Sequence, residues 1–138
     1  MTTYPKVAQV VLDSTDCRAL AEFYRELFGL SYRPGDEPPP AGEPDPDGQD
    51  WLVLRGQAGT QLAFQQVSEL PTSTWPSDEV PQQLHLDTVV SSAEELVEVH
   101  DRALALGARV LLDRSQDEDE PLWVFADPSG HPFCVFVA

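Results

Sequence analysis

Gln82-Gln83-Leu84-His85-Leu86-Asp87-Thr88-Val89-Val90 alternates apolar and polar side chains, the pattern of a strand with one face in a core and the other open. The open face carries His85 and Asp87. Directly after it, Ser92-Ala93-Glu94-Glu95 reads as a capping box, with Ser92 at the N-cap and Glu95 at the third helical position. The helix then runs through Leu96, Val99, Ala103 and Leu106 and stops at Gly107.

The same unit occurs earlier in the chain. Val7-Ala8-Gln9-Val10-Val11-Leu12-Asp13 is a first strand, and Ala8, Val10 and Leu12 alternate with Gln9, Val11 and Asp13. Asp16 is placed to cap a helix over Cys17–Phe28. Leu20, Phe23, Tyr24, Leu27 and Phe28 line one face of that helix, and Gly29 can supply a left-handed turn at its end. Gln9 precedes Gly29 by 20 positions and His85 precedes Gly107 by 22.

Each helix is followed by three strand-like segments. In the first copy they are Leu30–Arg33, Trp51–Arg55 and Gln61–Val67, the last two around a turn at 56–59. In the second they are Ala108–Leu112, Leu122–Ala126 and Pro132–Val137, with a type I turn at Asp127-Pro128-Ser129-Gly130. The chain is therefore strand–helix–three strands, twice, and the turn at Gly59 matches that at Gly130. Two modules follow, at about 5–68 and 82–138, within one domain of 1–138. The 69–81 connection holds Trp75, which reads as a seal on a core edge, with a pocket mouth as the alternative. Residues 34–49 carry so many prolines and carboxylates that they read as a solvated, mobile insertion in a hairpin, with a lid as the alternative.

Composition excludes several classes. A net charge of −16 over 138 residues opposes general electrostatic binding to nucleic acid or to an anionic membrane. No apolar run is long enough to span a bilayer. The opening Met1–Lys6 has neither the charged region nor the apolar block of a signal peptide, and Cys17 and Cys134 lack a metal-type spacing. A reduced cytoplasm is the expected setting.

The order of elements, Asp16–Leu30, His85-Leu86-Asp87 and Asp127-Pro128-Ser129-Gly130-His131 together resemble the vicinal oxygen chelate superfamily of glyoxalases, extradiol dioxygenases and bleomycin-resistance proteins. Pro-x-x-Trp-Pro before His-Leu-Asp and the late Pro-Phe-Cys resemble its glyoxalase-like subgroup. The resemblance implies an α+β fold: two tandem βαβββ modules forming a cupped mixed sheet, with the helices on the outer face. It also implies homodimers and four metal-ligand slots, one on the first and one on the last strand of each module. Here those slots fall on Gln9, Ala63, His85 and Cys134. Ala63 has no donor atom, so the metal set is degenerate and no cofactor is expected, a divalent metal being the alternative.

The candidate ligand-binding residues are Gln9, Asp13, Gln65, His85, Asp87, Trp51, Trp123, Cys134 and Phe136. His85 is either a polar residue of the cup or an acid–base group, with Asp87 as the other catalytic candidate. Asp13 and Asp87 hold related places in the two modules; they either share a proton across the cup or accept local hydrogen bonds. Cys134 is a nucleophile only beside a base in an electropositive setting, and otherwise a small buried side chain. Phe136 shares the face of Cys134, whereas the phase of Trp51 and Trp123 stays open between cup and core. The expected function is metal-independent binding of a small aromatic or carbonyl-containing molecule. The alternative is a lyase or isomerase using His85 with Asp87 or Gln9.

Overall fold

The computed structural model describes residues 1–57 and 60–138. The turn expected at 56–59 thus lies partly outside the described residues. The chain divides into two compact units, Met1–Leu70 and Pro71–Ala138. Each is a strand, a helix and three further strands around a four-stranded mixed sheet.

In the N-terminal unit, β1 (Val10–Ser14), β2 (Ser31–Tyr32), β3 (Trp51–Gln57) and β4 (Thr60–Gln66) are ordered β1-β4-β3-β2. β1 runs parallel to β4, and β3 antiparallel to it. Helix α1 (Cys17–Phe28) begins where the Asp16 carboxylate accepts the Ala19 amide at 3.2 Å. It ends at Gly29, whose φ of 68° puts it in the left-handed region that glycine tolerates. The apolar stripe of α1 buries Leu20, Phe23, Tyr24 and Leu27. Tyr24 stacks on Phe64 of β4 with ring centroids 5.9 Å apart, so Leu62 and Phe64 face the helix. The opposite face carries Val11, Asp13, Trp51, Val53, Ala63 and Gln65, paired as Val11–Ala63, Asp13–Gln65, Trp51–Gln65 and Val53–Ala63.

The proline-rich stretch at 34–49 is not the free insertion its composition predicts. Arg18 of α1 donates to both oxygens of Asp45 at 2.8 and 3.0 Å and to the Asp36 carbonyl at 2.6 Å. The same guanidinium lies 5.0 Å from the Tyr32 ring centroid. Asp36 is 6% exposed and accepts the Val53 amide of β3 at 2.9 Å. A short 3₁₀ turn at Asp47–Gln49 closes the segment, with the Cys17 thiol donating to the Gly48 carbonyl at 3.1 Å. Composition registers the prolines; it does not register that two of the carboxylates have built-in donors.

In the C-terminal unit, β5 (Leu86–Val90), β6 (Arg109–Arg114), β7 (Leu122–Ala126) and β8 (Pro132–Val137) are ordered β5-β8-β7-β6. The strand begins at Leu86, four residues later than the alternation from Gln82 predicts. Gln82–His85 is instead an irregular approach to it. Helix α2 (Ala93–Ala105) starts with one half of the expected capping box, Glu95 N donating to Ser92 Oγ at 3.2 Å, while the Glu95 carboxylate accepts the amide of Ser91, one residue before the N-cap, at 2.7 Å. The Asp127–Gly130 turn closes through Gly130 N to Asp127 O at 2.8 Å. Buried Asp127 also accepts the amides of Ser129 and His131. A Cβ on Gly130 would lie 2.8 Å from the Thr72 side chain, so the turn needs glycine both for its φ of 92° and for this close approach.

Candidate functional site

β5 and β8 run parallel with Asp87 opposite Cys134, just as β1 and β4 pair Val11 with Ala63. The ladder therefore equates Gln9 with His85 and Ala63 with Cys134, as the repeat predicts. On the open face of the C-terminal sheet β5 presents Asp87, with His85 just before it; β8 presents Cys134, and β7 presents Leu122 and Val124. β6 completes the face with Leu112 and Arg114, paired to Val124 and Leu122.

Simple alternation from Val110 would turn Arg114 to the helix side. A bulge between Val110 and Leu112 inserts one residue and reverses that phase. Trp75 packs on the buried cluster of Leu122, Val124 and Cys134, beside Leu111, Leu112 and Phe136. A network between Thr74 and Val80 holds Trp75 there; Thr74 N donates to Val80 O at 2.8 Å, and Val80 N to Thr74 Oγ1 at 2.9 Å.

Trp75, Leu112, Leu122, Val124 and Cys134, with the polar residues His85, Asp87, Arg114 and Gln82, line an open cavity of about 200 Å³. Its floor is aliphatic, and its polar groups stand at the two sheet edges. His85 Nε2 lies 3.2 Å from Asp87 Oδ1. Arg114, at the other edge, donates to Asp117 Oδ2 at 3.1 Å. Gln82 Oε1 is buried and has no hydrogen-bond partner among the described residues. Burial pushes the Cys134 thiol up to about 11, and the Asp87 and Glu120 charges add to that push against the opposing Arg114. Such a thiol is protonated at neutral pH and is a poor nucleophile.

The cavity thus brings together His85, Asp87 and Cys134 from the sequence-predicted set, and Phe136 packs on its apolar cluster. Trp123 points the other way: its ring stacks on His100 of α2 at 4.1 Å, on the helix side of the sheet. Asp13, Trp51 and Gln65 belong to the N-terminal unit's own sheet face, and Gln9 lies just before β1. Asp13 pairs with Gln65, whereas Asp87 pairs with Cys134, the counterpart of Ala63, so the two aspartates do not hold the related places expected of them. Sequence reasoning missed Arg114 and Gln82 as lining residues; for Trp75 it preferred the seal to the pocket mouth, and the indole both packs on the apolar cluster and lines the cavity. For Arg114 the bulge left no readable signal.

At one of the four slots that the resemblance implies, the residue present does not fit a metal ion. Ala63 is fully buried and offers only a methyl group. Cys134 would offer a soft sulfur donor, which does not match a site rich in oxygen and nitrogen. Among the described residues no group of three His, Cys, Asp or Glu side chains is placed to hold a metal ion.

Comparison with known proteins agrees with this architecture. Residues 9–136 match the family model of the glyoxalase-like domain. The chain belongs to that family. It is thereby a member of the vicinal oxygen chelate superfamily. No curated protein matches it. A glyoxalase/bleomycin resistance protein/dioxygenase family enzyme from Burkholderia phytofirmans has a similar structure, with a TM-score of 0.68 and 16% identity over 94% of this chain and 96% of that one. The genomically encoded fosfomycin resistance protein of Listeria monocytogenes, in a complex with Mn(II) and a dihydroxypropylphosphonic acid, gives 0.69 and 17% over 99% and 94%. A glyoxalase-related enzyme from Fulvimarina pelagi gives 0.66 and 20% over 98% and 89%. At such identities the likeness establishes the fold, and chemistry must be argued from the site. Among the described residues no helix is long and apolar enough to cross a membrane.

Proposed function

We propose that this glyoxalase-like protein binds a small, flat, largely apolar molecule in the cavity of its C-terminal unit, without a family-type metal. The observation that carries this reading is the cavity itself: an aliphatic floor, one indole on the wall and a few polar groups at the edges. That is the usual make-up of a small-molecule site. Its volume lies below the ~300–1,000 Å³ common for drug-sized ligands, which favours an occupant of one ring over a large natural product. The missing donor at Ala63 supports the metal-free part of the reading.

Two measurements test it. Titration of the chelator-treated protein with one-ring aromatic and α-keto compounds is expected to change tryptophan emission, and Trp75→Phe is expected to remove most of the change. Near-stoichiometric bound metal in the purified protein, lost in His85→Ala, would overturn the metal-free reading.

A second reading rests on the His85–Asp87 contact. A carboxylate 3.2 Å from Nε2 orients an imidazole for proton transfer at its other nitrogen, as a lyase or isomerase requires. It predicts exchange of solvent deuterium into an α-hydroxyketone, abolished in His85→Ala; absence of exchange across such a series counts against it.

A further inference from the structure

We infer that the molecule taken by this cavity carries a cationic, N–H-donating head group, a protonated amine or an amidinium, and turns it toward Gln82 and Asp87. The inference rests on the binding function proposed above and adds the chemistry of the head group.

Its first support is Gln82 Oε1, an acceptor that is buried and unpartnered among the described residues while lining the cavity. A buried acceptor without a donor is costly, and a ligand N–H placed there removes that cost. A carboxylate in the same place would set two acceptors against each other.

The second support is the sign of the surrounding charge. Asp87 also lines the cavity and is 61% exposed in its side chain, with His85 as its neighbour. The one arginine in the lining, Arg114, is already engaged by Asp117. Asp87 and Glu120 both act on the Cys134 thiol in the direction of a negative local field. That thiol lies on the floor between the two edges, so the cavity interior senses more negative than positive charge. The third support is the apolar floor with the Trp75 ring, which suits a flat hydrocarbon body behind the head group. A benzene ring occupies an apolar cavity of about 150 Å³, so a phenyl compound with one small head group matches the available space.

Three phenyl probes separate the possibilities: benzylamine as the cation, anisole as a neutral body without a donor, and benzoate as the anion. Binding is followed by protein-observed NMR titration at low salt on the full chain. Benzylamine is expected to bind at least about tenfold more tightly than anisole or benzoate, the worth of one charge-assisted hydrogen bond. Gln82→Leu and Asp87→Asn are each expected to shrink the benzylamine–anisole gap severalfold while leaving anisole binding in place. That retained anisole binding also shows that each variant is folded around its cavity. Benzoate binding as tightly as benzylamine, or a gap that survives both substitutions, overturns the inference. Equal binding of all three probes overturns it too, yet leaves the cavity reading standing. No binding of any probe removes both.

Discussion

The two helices hold equivalent places in the two units, yet they do different work. The strand ladders set the offset: Val10 pairs with Leu62 and Leu86 with Phe133, so first-strand positions are related by 86 − 10 = 76 residues and last-strand positions by 133 − 62 = 71. Adding 76 to the helix positions sets Tyr24 against His100 and Leu27 against Ala103. Helix α1 buries six residues, among them Phe23 and Tyr24, whereas α2 buries Leu96 and Ala103. The N-terminal unit thus locks its helix to its sheet with aromatic rings. The C-terminal unit replaces the fully buried tyrosine by a half-buried histidine and gathers a second apolar cluster on its open face, around Cys134. The cavity lined by Cys134 lies in the unit whose helix is the less deeply buried.

The largest test of that difference is a matched pair of truncations. Tyr24→Ala removes a ring in contact with Phe23, Phe28 and Phe64 and is expected to cost about 3–5 kcal/mol in urea unfolding. His100→Ala removes a ring stacked on Trp123 from a partly open site, and about 1 kcal/mol is expected. Equal losses would break the comparison. Next comes the anchor that only the N-terminal unit possesses. Arg18→Ala leaves the Asp45 carboxylate, 24% exposed, without its paired donors, and we expect a loss of about 2 kcal/mol. Limited proteolysis is then expected to cut within 37–44, where the parent chain resists. Arg18→Lys restores charge without the two-pronged geometry, so it is expected to recover only part of the loss. An unchanged digestion pattern would mean that the prolines alone hold the segment.

The repeat was legible in the sequence because it is carried by local signals. Asp16 and Ser92 cap their helices, Gly29 ends the first, and the apolar spacing gives each helix a face. Even the pairing of the last-strand slots followed from aligned turns. What stayed hidden depends on phase or on distant partners. β7 is buried on both faces, so Leu122–Ala126 reads as one apolar run and cannot say which way Trp123 points. Arg114 enters the cavity only because of a bulge four to two residues before it. The fixing of the proline-rich stretch depends on Arg18, 27 positions from Asp45.

Ala63 and Cys134 extend the comparison to smaller effects, since the ladder makes them equivalent and only one of them titrates. The folded state raises the Cys134 thiol from 9.0 to about 11, which leaves ~100-fold less thiolate at neutral pH. Iodoacetamide is therefore expected to modify Cys134 far more slowly than a free thiol at pH 7.5. The sign for stability follows from the same shift. A thiol that holds its proton more tightly when folded contributes fully below about pH 9 and loses that contribution as pH climbs through about 11. The fall in stability over that window is expected to be steeper in the parent chain than in Cys134→Ala. Asp87→Asn gives the smallest change. Asp87 and His85 are an exposed pair, so stability is expected to move by less than about 0.5 kcal/mol. Its effect on Cys134 is more telling. Removing the Asp87 carboxylate takes away one of the charges that oppose the thiolate, so labelling at a fixed alkaline pH is expected to quicken. If labelling is unchanged while the fold is intact, Asp87 does not act across the cavity floor, and the polar edge of this unit loses its electrostatic reach.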